Sequence, residues 1–371
     1  MQVSVVLPAR NAAPWIETAI ASIQRQTFSN LELIVVDDHS VDNTRDLLIS
    51  SAVADSRIRL ISSRGRGLVA ALNTGIAEAR APLIARMDAD DIARPNRLEI
   101  QTAFLERHPS VAVVGAQVQP VDLAGQPSGK TTNYPTEPED ISRELVQRGC
   151  VISHPTVLMR RAALDAAGGY RAVTEMAEDY DLWLRIAEHN AIANLPEVLL
   201  DYRMHPDQIS HGLNWSQRFA RDLAVISARA RRQGEKDPLE DITAPIQFQD
   251  QSNSADSNLP LEVQQLISGY IAACAAFLSA DDVHDLDAIE TVARNGLFGD
   301  GRKVRGQLMA LAARAAWRRR SPARAFQNLA ASVDLMGPGA IKVALKGRTQ
   351  WQSAGNVPQL SVNSGVDVRQ S

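Results

Sequence analysis

The chain has 371 residues, more than one small hydrophobic core organises, so two domains are expected. An apolar fraction of 45% with 22% charged residues is that of a globular protein, and a formal net charge of −4 argues against the basic surface of a general nucleic-acid binder. Cys150 and Cys274 stand in no metal-type spacing, no run reaches about 18 apolar residues, and MQVSVVLPARN lacks a basic leader, which together imply a reduced, cytoplasmic setting without a membrane span.

In chain order, short apolar runs alternate with amphipathic stretches. Strands are expected at Val3–Leu7, Leu33–Val36, Ile58–Ile61 and Leu83–Met87, and helices at Pro14–Gln26, Val41–Ser50, Gly67–Ala79 and Pro95–Arg107. Pro95 suits a first helical position, where its missing N–H has no partner to lose. The alternation implies a mainly parallel sheet with right-handed crossovers, and strands this apolar fit a sheet covered on both faces. A further strand is expected at Val111–Val118. The stretch DLAGQPSGKTTNYPTEPED reads as a loop or hairpin, and HPTVLMRRAALDAAGGY as a strand, a short helix and a Gly-Gly stop. EDYDLWLRIAEHN has helical spacing.

Beyond about Trp215 the strand signals vanish. The expected division is 1–212 for the α/β domain, 213–345 for an all-α region with a polar linker near 241–260, and 346–371 for a disordered tail.

Polar clusters fall at three neighbouring strand ends: PARN (Pro8 to Asn11), DDHS (Asp37 to Ser40) and DADD (Asp88 to Asp91). In an open parallel sheet, ligands bind beyond the carboxyl ends of the strands, so the three describe one crevice. Carboxylates at i and i+2 on a tight turn converge on a hard divalent cation such as Mg²⁺ or Mn²⁺, commonly shared with substrate phosphates. The alternative for Asp88 to Asp91 is capping of the following helix, and for Asp37 and Asp38 an Asx-type turn.

These clusters resemble the family 2 glycosyltransferases with a GT-A fold, inverting enzymes of bacterial surface-glycan synthesis. The resemblance covers roughly residues 1 to 210. It is carried by VSVVLPARNAAPWIETAIASIQRQTF, LELIVVDDHSVDNT, GLVAALNTGI, IARMDADDIARPNRLEIQ and AEDYDLWLRIA. It implies a Rossmann-like, mainly parallel mixed sheet flanked by helices, followed here by the all-α region.

The resemblance further implies that Pro8, Arg10, Asn11 and Asp37 or Asp38 grip the nucleoside of a nucleotide-sugar donor, a UDP-sugar first of all. Asp88 and Asp90 would hold Mn²⁺ or Mg²⁺ against the diphosphate, with Asp90 the more direct ligand. Arg66 and Arg86 would add positive charge near the phosphates. In the acidic segment at the helix start, Asp179 would be the general base toward a glycan or lipid-linked acceptor, with Glu178 orienting it. His205, in DYRMHPDQIS, either reaches the metal or plays a structural part. Arg203 would pair with phosphate, and His154 either lines the acceptor pocket or sits in the core.

Residues 301 to 326 are basic, with Leu308, Leu311, Ala312 and Ala315 on one side. Either they make peripheral contact with an anionic membrane or they form a solvated face of a bundle. Rival readings fare worse. PARNAAP lacks the G-x-G-x-x-G of a dinucleotide site, and an aspartyl-phosphate phosphatase would carry its motif after the first strand rather than the fourth. The remaining alternative is a catalytically inactive nucleotide-sugar-binding or scaffold protein, against which the retained Asp88, Asp90, Glu178 and Asp179 argue.

Overall fold

Strands β1 (Val3–Ala9) and β2 (Leu31–Asp37) are buried along their whole length, the signature of sheet covered on both faces. The computed structural model describes residues 2–147, 149–205, 215–246, 259–278 and 321–336, with positions 309, 310, 312, 313 and 316. The remaining strands are β3 (Ile58–Ser62), β4 (Leu83–Arg86), β5 (Ile92–Ala93), β6 (Val111–Val121), β7 (Leu158–Arg160) and β8 (Ala191–Arg203). They form one sheet in the order β3-β2-β1-β4-β7-β6-β8-β5. The β3, β2, β1 and β4 strands run parallel, β7 opposes both β4 and β6, β8 is parallel to β6, and β5 opposes β8. The carboxyl ends of β1, β2, β4, β6 and β8 therefore share one edge.

On one face, Val3, Val5 and Leu7 pack with Ile16, Ala19, Ile20 and Ile23 of helix α1 (Ile16–Gln24) and with Leu98 and Leu105 of α4 (Arg97–Arg107). Leu48 of α2 (Thr44–Ala54) joins the same core. The other face receives α3 (Leu68–Glu78) so closely that a Cβ at Gly75 would stand 2.5 Å from Val6 Cγ1. The loop 122–137 leads into α5 (Pro138–Gln147), and α6 (Arg161–Ala166) and α7 (Glu178–Ile186) follow. Pro95 lies just ahead of α4 rather than in its first turn: Asn96 occupies the N-cap position, and the Pro95 carbonyl accepts the Thr27 N–H at 2.8 Å.

The chain divides into two compact units, 1–208 with 223–245, and 209–222 with 246–371. The first contains the whole sheet and the second half of helix α8 (Trp215–Arg232), so residues 223–245 group with the α/β core and not with the helical region expected from 213 onward. In the second, Tyr270 of α9 (Leu261–Leu278) donates a hydrogen bond to the buried Asp222 at 2.7 Å, and α10 (Pro322–Met336) supplies buried Ala325 and Asn328. Most of the expected linker, the basic side chains of 301–326 and all of 346–371 lie outside the described residues. Ala312, from the apolar side of that basic stretch, is buried, as are Met309, Ala310, Ala313 and Ala316. Among the described residues no helix is long and apolar enough to cross a membrane.

Candidate active site

The turn after β4 carries the acidic motif. Asp88, Asp90 and Asp91 each present a carboxylate oxygen within 4.8 Å of the others. Arg86, buried at the last position of β4, donates to Asp88. Burial works against the Arg86 charge, but the neighbouring Asp88 carboxylate outweighs it and the guanidinium stays firmly protonated. Burial pushes Asp88 up, against Arg86 and with Asp90 adding to it, and burial with the Asp88 and Asp90 charges pushes Asp91 well up from ordinary carboxylate values. Asp91 Oδ1 accepts the Arg203 N–H at 2.9 Å, whereas its Oδ2 is buried with no hydrogen-bond partner among the described residues. Arg97, fully buried at the start of α4, ties this strand end down through the Arg86 carbonyl at 2.8 Å.

The far side of the turn is built by β8. Arg203 Nε donates to the Asp90 carbonyl at 2.9 Å, and His205 Nε2 lies 2.9 Å from Asp90 Oδ2. Trp15 backs both: the Arg203 guanidinium lies 4.6 Å from its ring centroid, and the His205 ring is stacked 6.4 Å away. Arg203 also donates to the carbonyls of Asp122 and Leu123. These bonds tie the acidic turn to the 122–125 loop.

At the ends of β1 and β2, the two loops clasp each other. Asn11, at φ +48°, accepts the Val41 N–H on its side chain, and its own N–H goes to Ser40 Oγ. Asp37 accepts the Ser40 N–H and pairs with Arg45 at 2.9 Å, so both its oxygens are engaged. Asp38 accepts the Gly67 N–H at 3.0 Å and faces Arg10 at 3.9 Å, while its Oδ1 is buried without a partner among the described residues. Pro8 is buried in β1, and Arg10 and Arg66 are exposed.

The third component is the first turn of α7, whose N-terminal dipole favours the acidic trio Glu178, Asp179 and Asp181. Glu178 is buried and accepts the Met176 N–H at 2.8 Å; burial, with Asp179 adding to it, raises its pKa to about 7. Asp179 accepts the Tyr180 N–H on one oxygen, and its other oxygen lies 3.8 Å from Cys150 Sγ. Burial raises its pKa as well, and it is close enough to Asp88 for their charges to interact. Asp181 is fully buried between Arg171 and Arg185, and Arg171 runs on to Asp237 at 2.8 Å. Against burial, the Leu239 N–H, the Ser227 hydroxyl and Arg171 hold Asp237 down to about 2.

Tyr134 stands beside Cys150 and Asp179, its hydroxyl pushed up to about 12 chiefly by burial. His154 is buried, meets the Tyr170 hydroxyl at 2.7 Å and packs edge-on against Trp183. Burial, then Arg86, holds it well below the usual imidazole value, so it is neutral. Tyr170 in turn lies near Arg86, Asp179 and Glu178.

The strand edge thus gathers Asp38, Asp88, Asp90, Asp91, Glu178, Asp179 and His205 in one unit. Asp37 and Asn11 are spent on loop structure, and Arg86 on Asp88. Sequence patterns single out Arg203 at the end of β8 but not the strand itself, nor Trp15, Tyr134 or Tyr170.

Comparison with known proteins is consistent with this arrangement. The profile "Glycosyl transferase family 2" matches residues 4–168. The putative glycosyltransferase EpsE of Bacillus subtilis is 36% identical over 211 residues, covering 56% of this chain and 74% of that protein. The chain belongs to glycosyltransferase family 2. Another relative is the Escherichia coli UDP-Glc:alpha-D-GlcNAc-diphosphoundecaprenol beta-1,3-glucosyltransferase WfgD, 30% identical over 56% of this chain and 79% of its own length. The crystal structure of S. aureus TarS residues 1–349, in complex with UDP-GlcNAc, superposes with a TM-score of 0.56 over 91% of this chain and 92% of that one. At 16% identity that likeness establishes the GT-A fold alone. This family 2 glycosyltransferase is an enzyme by family, with its carboxylates at the strand edge where the fold binds ligands.

Proposed function

We propose that this glycosyltransferase moves a sugar, with inversion, from a nucleotide-sugar donor to a hydroxyl of a glycan or lipid-linked acceptor in cell-surface polysaccharide synthesis. The observation that carries the reading is the proximity of two sets of carboxylates: the Asp88–Asp90–Asp91 cluster on the β4 turn, and Asp179 at the start of α7, near enough to Asp88 for their charges to interact. UDP-sugars are the favoured donor class, in keeping with the UDP-Glc and UDP-GlcNAc named for WfgD and TarS.

The acidic cluster fits a divalent cation. Its donors are all carboxylate oxygens, one of them buried and unpartnered, and burial alone gives no reason to crowd three of them together. Asp88 and Asp90 would hold Mn²⁺ or Mg²⁺, with Asp91 and His205 at the margin. When bound, the ion neutralises charge on the departing diphosphate.

The protein's own groups divide the remaining work. Asp38 offers its open oxygen to a base N–H or a ribose hydroxyl. Asp179 receives the acceptor hydroxyl proton as that oxygen attacks the anomeric carbon from the side opposite the diphosphate. The glycosidic bond forms as the bond to the nucleotide breaks, which inverts the centre. Glu178 and Arg86 hold the base and Asp88 in place.

The test is release of nucleoside diphosphate from a panel of UDP-, GDP- and dTDP-sugars, with and without Mn²⁺ or Mg²⁺. Turnover on at least one donor, dependent on the cation and lost with Asp90→Ala, is expected. No release and no binding across the panel would sink the proposal.

A further inference from the structure

One carboxylate near this site has no part in the proposed reaction. Glu175 is half-buried three residues before Glu178, and its Oε1 occupies the space that a Cβ on Gly67 would need. Its carboxylate lies beside the Leu68 backbone N–H, while Asp38 accepts the Gly67 N–H at 3.0 Å. The start of α3 is therefore faced by carboxylates from two different parts of the chain. One comes from the nucleoside end of the cleft at β2. The other comes from the loop that leads into α7.

The backbone just beyond Glu175 makes the connection consequential. Met176 sits at φ +81°, a conformation L side chains rarely adopt, and its N–H is held by Glu178. Asp179 is the residue after Glu178. The path Asp38, Gly67, Leu68, Glu175, Met176, Glu178, Asp179 runs through hydrogen bonds at Gly67 and Met176, the packing of Glu175 on the start of α3, and backbone. A second tie, from Asn73 to both backbone groups of Tyr170, fixes α3 to the segment that leads toward α7. Gly67, at φ +92°, is the position where any side chain would collide with Glu175 and break the connection.

We infer that Glu175 is a positioning residue that couples the nucleoside end of the cleft to the turn bearing Asp179, so that an occupied nucleoside pocket fixes the base. The inference rests on the proposed donor and base assignments. Nucleotide contacts at Asp38 and the 63–67 loop steady the start of α3. Through Leu68 that steadies Glu175 and the strained turn behind it. Empty, the pocket leaves the turn less constrained.

Hydrogen exchange and steady-state kinetics on the full chain test this, using whichever of UDP, GDP or dTDP raises the melting temperature most in the presence of Mn²⁺. In the unsubstituted enzyme the nucleotide should protect amides of both 63–68 and 176–180. Glu175→Ala should keep the first protection, lose the second, and lower kcat for nucleoside diphosphate release at least tenfold with donor KM changed less than threefold. Glu175→Gln keeps an acceptor for the Leu68 N–H and should restore both the second protection and most of kcat. Protection of both segments in Glu175→Ala, or a Gln variant as impaired as Ala, overturns the coupling while leaving the donor assignment intact. Absence of protection at 63–68 in the unsubstituted enzyme overturns the donor assignment, and the coupling with it.

Discussion

Glu178 and Asp179 are neighbours with the same charge, yet their surroundings set them different tasks. Glu178 is buried and turned back onto the Met176 N–H; Asp179 keeps one oxygen toward Cys150. Asp179→Asn preserves the Tyr180 N–H contact and removes the proton acceptor, so transfer should fall by about 10²–10⁴-fold while calorimetry finds nucleotide affinity nearly unchanged. Retained turnover would remove Asp179 from its proposed role. Glu178 makes a prediction about stability. Its pKa rises from 4.5 to about 7 on folding, so the folded state holds its proton more tightly and stability declines as pH rises across that window. Glu178→Gln should abolish that decline: equal melting temperatures below pH 4.5, and an advantage to the variant of at most about 3 kcal/mol above pH 7. The acidic types at these positions are legible in the sequence. Which carboxylate is buried is not, because that depends on the turn at Met176, a residue whose sequence gives no sign of positive φ.

Among the elements, α7 is the one whose placement matters most, and it is held by ions rather than by propensity. Asp181 is fully buried between Arg171 and Arg185, and the chain of charges continues to Asp237, Arg231 and Glu188 on 223–245 and the end of α7. Asp181→Asn leaves two largely buried guanidinium groups short of a counter-charge. Chemical denaturation should show a loss of about 3–5 kcal/mol, as is usual when one partner of a buried pair is removed. A loss under 1 kcal/mol would mean the network is dispensable. This scale also shows where sequence reading stops. The first four strands and their helices are readable because each is a local pattern of apolar spacing. AIANLPEVLLDYR does not read as a strand: Pro196 and Glu197 interrupt its alternation, and the register shifts between β6 and β8 absorb the irregularity only when the partner strand is in place. With β8 go the bonds Arg203 makes and the physical setting of His205, and α5 is hidden in a segment dominated by turn formers.

For the whole molecule, every proposed ligand contact falls in the unit built on the sheet, and none in 246–371. Binding to one unit stabilises that unit by mass action, by about 2.7 kcal/mol at a ligand concentration a hundredfold above Kd. Scanning calorimetry with Mn²⁺ and the preferred nucleoside diphosphate should therefore raise the transition of the sheet-bearing unit by several degrees, and any separate transition of the second unit should stay where it is. Asp90→Ala tests the origin of the shift. It removes one of three crowded carboxylates, so the unliganded melting temperature should hold or rise, while the ligand-induced increase disappears. A shift of undiminished size in that variant would place the cation elsewhere, and the crowding of Asp88, Asp90 and Asp91 would then need another explanation. If both transitions instead rise together by the same amount, the two units respond as one, and the nucleotide site is linked energetically to the helical region.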